Sequence, residues 1–265
     1  MKIDSLVTPK GILLDVDGTL TNKQRVVSPR TKEVITKIAG KGIKVGVATG
    51  RSYASLASYI LPFFPKRSLH LVAGGGQIVR ADGKIIWEKA IPHAQVVDIC
   101  QEAEALGAAY AFGQGPILYR SDKALANAAK HPWGITAKST RGLADWSTPL
   151  VSITNLNEKV RHFLSQQKAL SVKEITTDYL PPYFDITLKG VNKGSSVGVW
   201  AKKQGLLLKE TLAVGDSLND LELMKMVGLS VAMGQSPEKV KLAADITIGD
   251  TDENGLAEFL EKLFI

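Results

Sequence analysis

Short apolar runs alternate with amphipathic stretches at both ends of the chain, and a different rhythm fills the middle. Gly11-Ile12-Leu13-Leu14 is a strand-like run that ends in the turn Asp15-Val16-Asp17-Gly18. Ser28-Pro29 reads as the N-cap and first position of a helix. Val34, Ile35, Ile38 and Ala39 follow at helical spacing, and Gly40 with Gly42 stops it. A second strand over 43–48 ends at Thr49-Gly50-Arg51-Ser52, and the spacing then predicts a helix over 52–61. A third apolar run, 69–73, stops at Gly74-Gly75-Gly76. Strands alternating with helices in this way predict a parallel sheet.

From Gln77 the pattern changes. Residues 77–80 and 85–88 flank Ala81-Asp82-Gly83-Lys84, which predicts a hairpin with an Asp-Gly turn. A helix over 93–106, strands over 108–112 and 117–120, and a small-residue helix over 121–130 follow. The stretch 135–149 has little periodicity and receives no element. Strands over 150–154, 172–176 and 183–188, with a helix over 158–167, complete a mixed segment that reads as a separate inserted domain. The β-α rhythm resumes at Val191-Asn192-Lys193 with a helix to about Gln204, stopped by Gly205. A strand over 212–214 leads into Gly215-Asp216-Ser217-Leu218-Asn219-Asp220, where Asn219 or Asp220 is expected to cap a helix carrying Leu223, Met224 and Val227. A strand over 229–233, a short helix from Ser236-Pro237, a strand over 244–248 and an amphipathic helix over 253–263 close the chain.

Composition narrows the function classes. The 265 residues suffice for one large domain or two smaller ones, and 45% hydrophobic with 22% charged residues is ordinary for a soluble globular protein. The single cysteine, Cys100, excludes an intramolecular disulfide and fits a reducing cytoplasm. Met1-Lys2-Ile3-Asp4-Ser5 lacks the apolar stretch of a signal peptide, and no run approaches the roughly 18 apolar residues of a membrane helix. A cytoplasmic protein with no membrane partner is therefore expected. The net charge of +7 is scattered, its densest knots being Lys202-Lys203 and Lys66-Arg67, without aromatic interleaving. That argues against nucleic acid as a partner and fits attraction of a small anionic substrate.

The candidate chemistry gathers at strand ends. Alternate residues of a strand point the same way, so Asp15 and Asp17 can lean toward one spot. Two carboxylates that close repel unless a cation or proton lies between them, and hard oxygen ligands suit Mg²⁺. A plain Asp-Gly turn is the simpler reading of that stretch alone. However, Asp15, Asp17, Thr49 and Asp216 all lie at or just past predicted strand ends, where open parallel sheets bind ligands. Lys193, opening a helix, can add a cation. Such a group supports phosphoryl transfer. Asp15 can attack phosphorus, and Asp17 can protonate the leaving oxygen and later deprotonate water. The carboxylates of Asp15 and Asp216 with the Asp17 carbonyl can hold Mg²⁺, while Thr49 and Lys193 can bind the phosphoryl oxygens.

These residues resemble a known family. DVDGTL at 15–20, ATGR at 48–51, NKGSSV at 192–197 and GDSLNDLELM at 215–224 resemble, in order and spacing, the four motifs of the haloacid dehalogenase superfamily. The chain is most similar to its Cof-type phosphatases and their sugar-phosphatase relatives. The resemblance implies an α/β fold with a Rossmann-like parallel sheet core, at 1–80 and 190–265, and an inserted α/β cap domain at 81–189 that sets specificity. It implies Mg²⁺ as cofactor, Asp15, Asp17, Asp216 and Asp220 around the metal, and Thr49, Gly50, Lys193 and Asn219 around the phosphate. By the same matching, Asp220 also supports Lys193. One departure is Gly74-Gly75-Gly76, where relatives often have Asn-Gly-Ala, so a possible substrate or hinge contact is missing.

The reading is a Mg²⁺-dependent phosphomonoesterase acting on a small soluble phosphate ester, with sugar phosphates favoured by the resemblance alone. A phosphotransferase or phosphomutase on the same core is the alternative, and a non-catalytic binding protein a more distant one. Cap contacts to substrate are sought at His131, Trp133 or Arg141, and Arg51 is read as structural. The four histidines are dispersed and form no His-Glu-x-x-His pair, which argues against zinc. Lys193-Gly194-Ser195 lacks the glycines and the hydroxyl residue of a Walker loop, and Cys100 falls among core positions of its helix.

Overall fold

The apolar runs become strands over most of the chain in a computed structural model that describes residues 8–126, 135–176 and 181–265. The first part holds β1 (Gly11–Leu14), α1 (Pro29–Gly40), β2 (Lys44–Val47), β3 (Leu69–Val72), β4 (Gln77–Arg80) and β5 (Ile85–Glu88). The middle holds α2 (His93–Ala105), β6 (Ala109–Gln114), β7 (Ile117–Arg120), α3 (Asp122–Ala126) and β8 (Thr136–Ser139). It continues with β9 (Val151–Thr154), α4 (Glu158–Ser165), β10 (Leu170–Ile175) and β11 (Tyr183–Leu188). The last part holds α5 (Lys193–Gln204), β12 (Thr211–Gly215), α6 (Leu221–Met224) and β13 (Leu229–Ala232). It ends with α7 (Glu238–Lys241), β14 (Ile246–Thr247) and α8 (Gly255–Phe264).

The expected α/β fold is present. A parallel sheet runs in the order β14-β13-β12-β1-β2. β1 explains why its strands are continuously apolar rather than alternating. Ile12 and Leu14 enter the layer under α1 and α8, with Ile35, Ile38 and Leu260, while Leu13 enters the opposite layer with Val197 and Trp200 of α5. A strand covered on both faces has no solvent side to make polar. A parallel bridge from Ala48 to Leu71 continues the sheet into β3, which carries the antiparallel hairpin β4-β5. The buried Trp200 indole donates to the Leu69 carbonyl at 2.8 Å and ties α5 to β3.

A second sheet lies in the inserted segment, in the order β10-β11-β9-β6-β7-β8, antiparallel except for β7 with β8. One of its faces packs on α2 and α4 through Tyr110, Phe112, Val151, Ile153 and Ile186, a hydrophobic cluster separate from those of the parallel sheet. The range 81–189 set for the insertion includes β5, which pairs with β4 beside the parallel sheet. The stretch given no element holds β8, a polar edge strand paired only with β7. Its exposed edge position explains the missing apolar period.

Two expectations need correction. The helix over 52–61 is replaced by two short 3-10 turns, Tyr53–Ser55 and Leu61–Phe63. Serines and tyrosines are weak helix formers, and the Ser52 and Ser55 hydroxyls bond each other at 3.1 Å. The helix after Asp220 shortens to the single turn of α6, because the chain turns back at Gly228 to the Leu208 and Thr211 carbonyls. The small-residue helix is described only as α3, and residues 127–134, with His131 and Trp133, lie outside the described residues. Elsewhere the caps are as read: Ser28 Oγ accepts from the Thr31 N–H at 3.1 Å, and Gly205 closes α5 with φ 73°. Among the described residues no helix is long and apolar enough to cross a membrane.

His70 on β3 is fully buried. Its Nδ1 accepts from the Val47 N–H at 3.2 Å, which puts the ring proton on Nε2, donating to Ser68 Oγ at 2.7 Å. Burial lowers its pKa from 6.5 to about 3. The unfolded chain therefore takes up a proton that the native ring refuses. Stability from this site is complete above about pH 6.5 and declines as pH falls toward 3, with a slope of at most about 1.4 kcal/mol per pH unit. Melting temperatures measured from pH 8 to 4 should show a shallower acid decline for His70→Gln than for the wild type, from a lower starting value.

Candidate active site

Four loops meet at the carboxyl edge of the parallel sheet. Asp15 follows β1, and its N–H donates to the Val214 carbonyl at 2.9 Å, so the β1-β12 ladder still fixes its backbone. The register Leu14 to Val47 sets Thr49 just beyond the end of β2, beside the Asp15 segment. Asp216 follows β12, and Lys193 is the first residue of α5, whose start is fixed by Asn192 accepting from the Ser195 N–H at 2.7 Å.

Lys193 joins these loops. Its buried ammonium donates to Asp15 Oδ1 at 2.8 Å, Asn219 Oδ1 at 2.9 Å and Asp220 Oδ1 at 2.7 Å, which uses all three protons. Asp220 is held further: its Oδ2 accepts from the Asp216 N–H at 3.2 Å and the Ser217 N–H at 3.1 Å. The expectation that Asn219 or Asp220 caps the following helix is corrected, since both side chains turn toward Lys193 or the preceding backbone. Asp216 accepts from Thr19 Oγ1 at 3.1 Å. Gly18, with φ 79°, passes so close that a Cβ there would collide with Asp216 Oδ2, so only glycine fits this turn. The Gly18 carbonyl is clamped by the Thr251 hydroxyl at 2.5 Å and by the Gln235 amide.

Asp15, Asp216 and Asp220 offer carboxylate oxygens that all lie within 4.8 Å of one another. Three acids against one ammonium leave the cluster short of positive charge. Burial, then the neighbouring carboxylates, push Asp216 up to about 8. Burial pushes Asp15 up to about 7, opposed by Lys193 and reinforced by Asp220 and Asp17. A divalent cation supplies the missing charge with the hard oxygen donors it prefers, so the donor set fits a metal of the Mg²⁺ type.

Asp17 stands apart from this cluster. Its two oxygens accept from Arg51 Nε at 2.6 Å and Arg51 Nη2 at 2.5 Å, and Arg51 also donates to the Tyr59 hydroxyl. Thr49 is buried, and its hydroxyl accepts from the Arg51 N–H at 3.2 Å. Gly50 faces the inserted sheet, since a Cβ there would lie 3.7 Å from Asp185 Oδ2. Gly75, in the glycine run after β3, passes against the Asn192 carbonyl, where no side chain fits.

Sequence reasoning missed several of these groups. Thr19 was inside a quoted motif without a role, while Gln235, Thr251 and Asp185 carried no local signal. Arg51, read as structural, is the partner of Asp17. Arg141 pairs with Asp122 at 2.6 Å and follows Thr140, which bonds Tyr110 on the helix-covered side of the inserted sheet.

Comparison with known proteins gives the chain a family. A family model of haloacid dehalogenase-like hydrolases matches residues 12–260. A pyridoxal phosphate phosphatase of Escherichia coli strain K12 is 25% identical, over 96% of this chain and 98% of its own. A phosphoglycolate phosphatase of Methanopyrus kandleri is 26% identical, over 95% and 96%. The crystal structure of a haloacid dehalogenase-like hydrolase from Bacteroides thetaiotaomicron superposes with a TM-score of 0.80 at 26% identity, covering 97% of this chain and all of the other.

Two outcomes follow from the cluster. Binding of Mg²⁺ or Mn²⁺ should raise the melting temperature and release protons, because Asp15 and Asp216 must be ionised to ligate. The effect should weaken as pH falls from 8 to 6, and Asp216→Asn should abolish it; calorimetry in buffers of different ionisation heat measures the protons. Lys193→Met removes the only cation within bonding distance of Asp15 and Asp220 among the described residues. It should cost about 3–5 kcal/mol in denaturant unfolding of the metal-free protein, the penalty for breaking a buried ion pair.

Proposed function

The chain belongs to the haloacid dehalogenase-like hydrolases, within them to the Cof-type phosphatases with an α/β cap, and on that premise we propose that it is a Mg²⁺-dependent phosphomonoesterase. Its substrate is a small phosphate ester, with sugar phosphates favoured. The observation that carries the mechanism is the division between two aspartates two residues apart. Asp15 lies inside the buried acidic cluster on Lys193, whereas Asp17 lies outside it on Arg51. One suits a nucleophile held still beside a cation, the other a proton carrier at the cleft.

Asp15 attacks phosphorus as the bond to the leaving oxygen breaks, giving an aspartyl-phosphate. Lys193 on Oδ1 orients the carboxylate for this attack. Asp17, protonated, gives its proton to the leaving oxygen, then takes one from the water that attacks the aspartyl-phosphate and frees inorganic phosphate. The bidentate pair with Arg51 is a carboxylate arrangement, so Asp17 must turn off Arg51 to act first as an acid. Thr49, Gly50 and Asn219 line the phosphoryl group, and Asp220 positions Lys193. Asp15, Asp216 and the Asp17 carbonyl would hold the Mg²⁺, which would supply positive charge against the phosphate. We set the crossings between core and cap near Ile91, where a bridge to Thr148 forms, and Leu188. A cytoplasmic site fits the buried thiol of Cys100, whose pKa burial pushes up.

Phosphate release from a panel of phosphate esters, with Mg²⁺, with chelator and with Asp15→Asn, tests the reading. Turnover should disappear in both controls while the variant still binds metal, and acid quench should trap a phosphorylated wild type only. Phosphoryl transfer to a second hydroxyl without phosphate release would replace hydrolysis by the transferase. Absence of both turnover and metal binding would remove the enzyme.

A further inference from the structure

The antiparallel register of the cap sets Lys173 of β10 opposite Asp185 of β11, and Asp185 opposite Ser152 of β9. Their neighbours Val172, Phe184, Ile186, Val151 and Ile153 enter the apolar cluster under α2 and α4. Side chains alternate along strands, so the row Lys173, Asp185, Ser152 points from the opposite, helix-free face. That face looks onto the catalytic loops. Asp185 Oδ2 is the atom that a Cβ at Gly50 would meet at 3.7 Å. Lys173 is near enough to Lys193 and Asp220 to feel both charges, and its pKa is lowered by burial and then by Lys193. Nothing in the catalytic scheme uses these three side chains.

The row has a definite chemistry. Ser152 Oγ donates to Asp185 Oδ1 at 2.6 Å and fixes the carboxylate, so Oδ2 is the oxygen turned to the catalytic loop. Burial pushes Asp185 up to about 6, against the Ser152 bond and Lys173. An ionised carboxylate here therefore gains from donors brought by a ligand. Beside it, one strand spacing away (about 5 Å), the Lys173 ammonium offers donors and no acceptor. A hydroxyl both donates and accepts, so adjacent hydroxyls match an acceptor next to a donor. A carboxylate on the leaving group would meet Asp185, an ammonium would meet Lys173, and a bare aromatic ring would desolvate both without replacing their bonds.

We propose that Asp185, fixed by Ser152 and flanked by Lys173, is the specificity-determining residue of the cap and selects esters whose leaving group is a neutral polyol or sugar. This rests on the phosphatase reading above.

The test compares kcat/KM for a hydroxylated ester, glucose 6-phosphate or sorbitol 6-phosphate, with that for p-nitrophenyl phosphate, which has no hydroxyl. It uses the wild type, Asp185→Ala, Asp185→Asn and Lys173→Met, with thermal melts to verify folding. Asp185→Ala should lower the ratio of hydroxylated to aryl ester by about 10- to 100-fold, as expected for a lost charge-assisted hydrogen bond. Asp185→Asn should recover part of it, Lys173→Met should lower it less, and the relative rate on phosphoglycolate should rise in Asp185→Ala. An equal fall on both esters would reduce Asp185 to a cap–core packing residue and overturn the proposal, as would an unchanged ratio. A wild type active on the aryl ester but on no hydroxylated ester would overturn it while leaving the phosphatase standing. A wild type inert on every ester would overturn the phosphatase and the proposal together.

Discussion

A single buried ammonium holds together parts of the chain that lie far apart in sequence. Lys193 begins α5, yet its three protons go to Asp15 after β1 and to Asn219 and Asp220 after β12. A lysine removed from water is costly unless every proton is matched and its charge opposed, and here both conditions hold. The same three bonds set the order of the catalytic edge. They orient Asp15, draw Asp220 into the N–H groups of Asp216 and Ser217, and thereby aim Asp216 at Thr19 and the Gly18 turn. The negative charge left over is what suits this edge to a cation.

The framework can hold that arrangement because its strands are covered on both faces. Ile12, Leu13 and Leu14 are wholly buried in two different apolar layers, so β1 has no freedom to shift register without exposing one of them. The polar ends of β1, β2 and β12 are then delivered to one edge at fixed spacing. The cap contributes the other wall from a separate core. Its helix-free face meets the catalytic loops through small residues: Gly50 beneath Asp185, Gly74 beneath Thr187 and Gly76 beneath Pro149. The run Gly74-Gly75-Gly76 therefore gives close approach of cap and core in place of the side-chain contact its position suggested.

Much of the fold was legible in local pattern. The β1 run, the Ser28-Pro29 helix start, the Asp-Gly hairpin and the Gly205 stop each carry their signal within a few residues, and each stands where it was read. The failures have a physical pattern too. The turns at 53–63 keep helical spacing of apolar residues, but the serines and tyrosines between them are weak helix formers. β8 has no period because, as an edge strand, it is not asked to bury one face. At the carboxyl edge of the parallel sheet, residue types and order singled out Asp15, Thr49, Lys193 and Asp216 as candidates, since carboxylates at strand ends and a lysine opening a helix are local facts.

What the amino-acid sequence determined alone was the set of candidate groups at the sheet edge and the elements that deliver them, because strand ends, caps and turns depend on neighbours in the chain. What only the tertiary structure decided was which group holds which. The pairing of Asp17 with Arg51, the division of Lys193 among three oxygens, and the position of Asp185 over Gly50 join residues from 26 to 178 positions apart. No local spacing encodes such contacts. They follow from burial, which makes each charge find a partner wherever the packed sheets bring one within reach.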